Sequence, residues 1–343
     1  MKRLLNTLYV TSQGAYLSKE GETVCVKVEK ETRLRIPIHT LACIVCFGQV
    51  HCSSALMGLC GERGVSLVFL TENGRFLARI EGPVRGNVLL RRAQYRAADN
   101  EGVSSDLARA IVLGKVLNAR TVLMRALRDY PECSGTKQIQ AAVNRLADIA
   151  FSLKQCQTLE WLRGAEGEAA RTYFGVFSYL ITAQTEDFSF TSRSRRPPMD
   201  NMNALLSFLY TLLAHDVVSA LESVGLDPAV GFLHRDRPGR PSLALDIMEE
   251  LRPILADRLA LTLVNRRQVT CKGFQKKESG AVIMKDDMRK EVLQAYQLRK
   301  RDEILHPFMN EKLPLGLLPY VQALLLARCL RGDIDGYPPF RWR

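Results

Sequence analysis

The hydrophobic pattern of this chain changes its period between residues 80 and 106, so two differently built parts must share one polypeptide. Up to Ile80, the stretches LLNTLYV, AYLSKE, TVCVKVE and TRLRIPI alternate apolar and polar residues or carry β-branched runs between Gly-containing turns. That is the period of strands with one buried face. LACIVCFG is a more continuous apolar run, and SSALMGLCGERG reads as a short helix ended by Gly64. VSLVFL and RFLARI read as two strands joined through Asn73-Gly74, a hairpin signal. From Asp106 onward, apolar residues recur at helical spacing in SDLARAIVLGKVLNARTVLMRALRD and KQIQAAVNRLADIAFSLKQC, with Ser105 available as a cap. The expectation is an α+β protein: a small β-rich N-terminal domain over 1–82, a linker over 83–104, and a larger all-helical domain over 105–343. The N-terminal domain shows no catalytic constellation. Its work is packing or dimerisation, because exposed sheet surface needs cover.

A hydrophobic fraction of 47% supplies a substantial core, and the net charge of +12 points to nucleic acid or another anionic surface. The basic segment from Arg85 to Arg96 either tracks phosphates or forms a solvated linker face. Among nine cysteines, Cys43 and Cys46 have CxxC spacing, yet they lie inside an apolar run with no second pair at zinc-site distance. Buried reduced thiols fit better and imply the cytoplasm. No signal peptide is visible, and no apolar run reaches the roughly 18 residues of a membrane span, so no membrane association is expected. Internal repeats, a P-loop, GxGxxG and GxSxG are all missing from the sequence.

Three stretches carry chemistry. In GFLHRDRPGRPSLALDIMEELR, His234 precedes a turn-rich basic loop, and a helix is expected from Ser242 as N-cap. Asp246 and Glu249 then share one helix face, with Glu250 beside them. Imidazole with carboxylates suits a divalent ion, Mn²⁺ or Mg²⁺; alternatively His234 caps an element end and the acids favour a helix N-terminus. In the second stretch, Glu166 borders an apolar stripe through Leu162, Ala165, Ala169, Tyr173, Val176, Phe177 and Leu180. A carboxylate there must be paired, for example with an arginine, or bind a metal. In the third, Arg193, Arg195 and Arg196 lead into a long helix that Asp200 can cap and that carries Asn203, Ser207 and Tyr210. This is either a phosphate site or an ordinary charged loop. Arg252-Pro253 should break or kink its helix, and the tail DIDGYPPFRWR should be poorly ordered unless docked.

Taken together, GAEGEAARTYF (164–174), RRPPMDNMNALLSFLYTLL (195–213) and GFLHRDRPGRPSLALDIMEELRP (231–253) have the order and spacing of one family. They resemble the CRISPR-associated spacer integrases, the Cas1 family of metal-dependent DNA endonucleases and integrases. GNVLLRRAQYR (86–96) is similar to that family's junction between domains, and length and detail look most like members of subtype I-C systems. The resemblance covers nearly the whole chain. It implies that Glu166, His234 and Glu249 coordinate Mg²⁺ or Mn²⁺, with Asp246 as the nearby first acid of the helix. Glutamate stands at 249 where other members have aspartate, and the neighbouring Glu250 leaves the third ligand open between the two. The implied reaction joins 3′-hydroxyl ends of short double-stranded DNA to a CRISPR repeat by transesterification. Arg193, Arg195, Arg196 and Arg252 would then clamp phosphates, and Asn203 and Tyr210 would line the site. The implied partners are a second copy, through the N-terminal domain, and a dimer of the small Cas2 protein. A nuclease for branched DNA repair intermediates and a non-catalytic DNA-binding scaffold are the alternatives.

Overall fold

The computed structural model of the chain describes residues 6–72, 76–80, 82, 88–131, 134–155 and 158–342. Contacts divide the chain into two units, Met1–Arg85 with Met284–Leu298, and Gly86–Ile283 with Arg299–Arg343. The contiguous division expected above puts residues 284–298 with the helical domain, whereas by contact they group with the N-terminal strands.

Period-two patterning becomes β1 (Asn6–Val10), β2 (Tyr16–Glu20), β3 (Thr23–Val28), β4 (Glu31–Pro37), β5 (Leu41–Phe47) and β6 (His51–Cys52). After α1 (Ser54–Arg63) come β7 (Ser66–Leu70) and β8 (Phe76–Ile80). One four-stranded sheet has the order β1-β5-β7-β8, parallel except for the antiparallel β7–β8 pair; the other is β4-β3-β2-β6. β5 lies inside its sheet with nearly every residue buried, which explains its continuous apolar run. Leu17 and Val24 from one sheet, Ile44 and Leu67 from the other, and Leu56 and Leu59 of α1 share one core. Ser53 caps α1 by accepting from the Leu56 N–H, and Gly64, at φ 67°, ends it. The Asn73-Gly74 step lies outside the described residues. Cys46 and Cys60 are buried free thiols, and Cys43 is buried as well. Burial pushes the Cys60 thiol up to about 12 and the Cys52 thiol up to about 11, so both stay neutral. Cys133 and Cys156 lie outside the described residues.

Helical periodicity becomes α2 (Val88–Asp99), α3 (Glu101–Asp129), α4 (Thr136–Ser152), α5 (Leu159–Gly175), α6 (Asn201–Val224), α7 (Ser242–Arg252) and α8 (Arg258–Asn265). The remaining elements are β9 (Phe274–Lys276), β10 (Val282–Met284), α9 (Asp286–Arg301), β11 (Glu303–Leu305), β12 (Lys312–Pro314) and α10 (Leu318–Leu330). The C-terminal part is thus mostly helical, with two short two-stranded ribbons that periodicity alone did not reveal. α6 contains a window with mean hydropathy 1.6, enough by length and composition to cross a membrane, but 61% of that window is buried inside the protein. Helices α5, α6 and α7 surround the site described below, and α3 packs against α4, α5 and α7.

Several local expectations are corrected. Residues 88–99, read as linker, form α2, because Leu, Arg, Ala and Gln favour helix and because Leu90 and Gln94 are buried. Asn100, not Ser105, caps α3, its side chain accepting from the Val103 N–H. Ser242 is the first helical residue of α7 rather than its cap, and no side chain caps that helix. Arg252-Pro253 interrupts the α-helix as expected: α7 ends at Arg252, and a π-helical turn, Pro253–Asp257, carries the chain into α8. The wider turn accommodates a proline that has no N–H to return to the preceding turn. The tail is docked, with Tyr337 and Phe340 buried. The Asp200 cap is present as expected.

Candidate active site

α7 is an almost wholly buried helix, yet it carries Asp246, Glu249, Glu250 and Arg252. Buried polar groups need partners, and each of these finds different ones. Asp246, fully buried, organises the histidine loop: Oδ2 accepts from the N–H of Phe232 (2.6 Å) and Leu233 (3.0 Å), and Oδ1 from that of His234 (3.0 Å). Oδ1 also lies 2.6 Å from His234 Nδ1. That contact puts the imidazole proton on Nδ1 and leaves the Nε2 lone pair free, 4.0 Å from Glu249 Oε1. Gly231 is required for the approach, since a Cβ there would lie 2.8 Å from Asp246 Oδ2 and 2.8 Å from the Ser242 carbonyl carbon. The loop is held from two further sides. Gln94 of α2 donates to the Asp227 and Val230 carbonyls and accepts from the Asp227 N–H, and Arg163 of α5 donates to the Leu233 carbonyl at 2.7 Å.

Glu166, at mid-length on α5, and Glu249, on α7, meet at Lys115 of α3. The ammonium donates to Glu166 Oε1 and lies 2.6 Å from Glu249 Oε2. Glu249 Oε1 takes Arg252 Nη1, whereas Oε2 meets Lys115 as an ion pair without a well-directed hydrogen bond. Burial alone would push the Glu249 carboxyl up, but Arg252 and Lys115 outweigh it and hold the group well below the usual carboxylate range. Burial pulls Lys115 down, and the two carboxylates more than offset it, so the amine stays protonated. Glu166, Glu249 and His234 are therefore brought together, and Asp246 stands behind the histidine. Glu250 faces the opposite way. It binds Tyr337 Oη, Gln322 Nε2 (3.1 Å) and the Phe340 N–H (2.7 Å), and burial raises it to about 7. Between Glu249 and Glu250, geometry puts Glu249 at the site.

The arginines divide. Arg193 and Arg252 lie on the ring of Tyr210, each 5.1 Å from its centroid, and Tyr210 donates to Asp257 Oδ1 at 2.6 Å. Arg193 gives its donors to Ser194, Asn203 and Ser207, and the fully buried Asn203 ties the Ser192–Asp200 loop together. Arg195 and Arg196 are exposed. A cavity of about 290 Å³ adjoins His234, with Tyr95, Ser104, Arg163 and Arg235 on its wall. Sequence reasoning missed Lys115, although its spacing from Ile111 and Ala119 puts it on the core face of α3, where a lysine needs a reason.

For a divalent ion the donor set is chemically apt: two carboxylates on separate helices and an imidazole whose Nε2 is free. Their present spacing is set by an ammonium, and among the described residues no three His, Cys, Asp or Glu side chains stand close enough to hold an ion as they are. The residues fit a metal provided that Lys115 yields its place.

A family model described as CRISPR associated protein Cas1 matches residues 8–298. The chain is 57% identical over 343 residues to the CRISPR-associated endonuclease Cas1 1 of Chlorobaculum tepidum, covering all of both chains. It shares its fold with a Cas1 protein from Thermotoga maritima (TM-score 0.82, 24% identity, 96% of this chain and 97% of that one). It also shares its fold with a casposase bound to integration product (TM-score 0.85, 20% identity, 99% and 95%).

Proposed function

The chain belongs to the CRISPR-associated Cas1 family, and from that premise we propose that it is a metal-dependent DNA integrase of CRISPR adaptation. It joins 3′-hydroxyl ends of short double-stranded DNA to the CRISPR repeat by transesterification. The observation that carries this reading is the convergence of Glu166, Glu249 and the free Nε2 of His234 from three separate segments. These three residues would hold Mg²⁺ or Mn²⁺, which when bound polarises the scissile phosphate and stabilises charge on its oxygens. Asp246 fixes the imidazole so that Nε2 faces the reacting centre. Arg252 keeps Glu249 ionised, and the exposed Arg195 and Arg196 bind phosphates of the incoming duplex. Arg193 acts from behind, holding Tyr210 in place. On the N-terminal unit, Tyr16, Leu34, Phe76 and Leu77 are exposed and supply apolar surface for a homodimer. A Cas2 dimer completes the assembly, and the chain's length and sequence detail support a member of the subtype I-C branch.

The name of the Chlorobaculum tepidum relative, an endonuclease, favours one second reading, the same site with water as nucleophile; branched DNA repair intermediates would be its substrates. A strand-joining assay separates the two. Labelled duplexes with 3′-hydroxyl ends are mixed with a repeat-bearing supercoiled plasmid, this protein and its Cas2 partner, in Mn²⁺ and in Mg²⁺. Label in the plasmid, lost with His234→Ala or EDTA, is the expected result. Metal-dependent cutting without transfer would establish the nuclease, and salt-sensitive binding with neither would establish a scaffold.

A further inference from the structure

We propose that Lys115 is the resident counter-ion of the metal site, holding Glu166 and Glu249 together without the ion and competing with the ion for them. The inference rests on the metal reading above. Its basis is positional. Lys115 is 9% exposed, and its ammonium lies between carboxylates borne by two other helices. Two carboxylates so placed repel each other and are desolvated, so the fold needs a cation between them whether or not a metal is at hand. Arg252 does not fill that need, because its ion pair is with the far oxygen of Glu249 and it acts on Glu166 only at longer range.

A divalent ion needs the same oxygens, so it enters by displacing the ammonium, and the free energy of breaking the buried pair with Glu249 and the part-buried pair with Glu166 is subtracted from its affinity. A narrow cavity of about 20 Å³ adjoins the lysine side chain, walled by Ala169, Tyr173, Tyr210, Asp257 and the cations Arg195 and Arg252. A lysine present only to tie three helices together behaves differently: its removal loosens the ligands, and metal binding weakens.

The test is Mn²⁺ binding to the full chain, read by titration calorimetry and by the electron spin resonance of free Mn²⁺. The variants are Lys115→Met, which keeps length without charge, Lys115→Gln, which keeps a hydrogen-bond donor, and Lys115→Arg, which keeps the cation. Circular dichroism checks the fold of each. Lys115→Met and Lys115→Gln are expected to bind Mn²⁺ at least about tenfold more tightly than the parent. Both should melt lower without metal and recover with it, while Lys115→Arg binds no more tightly than the parent. Binding by Met and Gln variants that is equal or weaker, with His234→Ala still abolishing it, would overturn the counter-ion role and leave the metal reading standing. Mn²⁺ binding to none of these proteins, the parent included, would overturn both.

Discussion

At Asp246 one carboxylate takes three backbone N–H groups and an imidazole N–H. An asparagine keeps the shape but turns an NH₂ group towards donors, so one contact becomes a repulsion and His234 loses its fixed tautomer. Asp246→Asn is expected to lower Mn²⁺ affinity about 10–100-fold, the usual range for carboxylates behind a ligating histidine, as read by calorimetry. Gly231→Ala forces a methyl group against Asp246 and the Ser242 backbone. It should cost about 1–3 kcal/mol of stability in urea denaturation. These residues were legible in the sequence because their relation is local, a helix face and the loop that feeds it. Lys115 was not, because its partners come from α5 and α7 and only tertiary packing brings them within reach. Nor did Arg193 and Asn203 disclose that their polar groups are occupied by one another.

At the scale of elements, α7 works on two sides at once. Glu249 faces the site, while Glu250 fastens the C-terminal tail through Tyr337, Gln322 and the Phe340 N–H. Glu250→Ala leaves the Tyr337 hydroxyl and the Phe340 N–H without their acceptor, at about 1–3 kcal/mol for each one that finds no water, whereas Gln322 keeps Tyr337 and the Pro338 carbonyl. The expected outcome is tail release, seen as new protease cleavage beyond Gly332 and a lower melting temperature. Burial raises Glu250 to about 7 and Asp257 to about 6, so the folded chain holds these protons more tightly than the unfolded one. Their stabilising contribution is full below the ordinary carboxylate range and is lost as pH rises through about 6 to 7. The melting temperature should fall over that window, and Asp257→Asn should flatten the lower part of the fall. Strand and helix placement was largely readable from period alone. α2 was not, because a basic Gly- and Pro-led segment reads as linker until Gln94 is seen bonding to the loop at 227–230.

Across the whole molecule the charge of +12 predicts that affinity for duplex DNA falls steeply with salt. With several phosphates neutralised, the loss between about 50 and 200 mM salt should reach about 10³-fold, measured by fluorescence anisotropy. A slope near zero would mean that the basic residues do not meet the backbone. The N-terminal unit has a second property on this scale: it is discontinuous, closing only when Met284–Leu298 joins residues 1–85. Gln297 donates to Tyr9 of β1 across that gap in sequence, at 3.1 Å. During synthesis, therefore, even the last of these strands, β8, leaves the ribosome about 10–40 s before the segment that completes the unit, at ordinary elongation rates of about 5–20 residues per second. A nascent chain halted anywhere in between would hold a β-rich unit that is made but not finished.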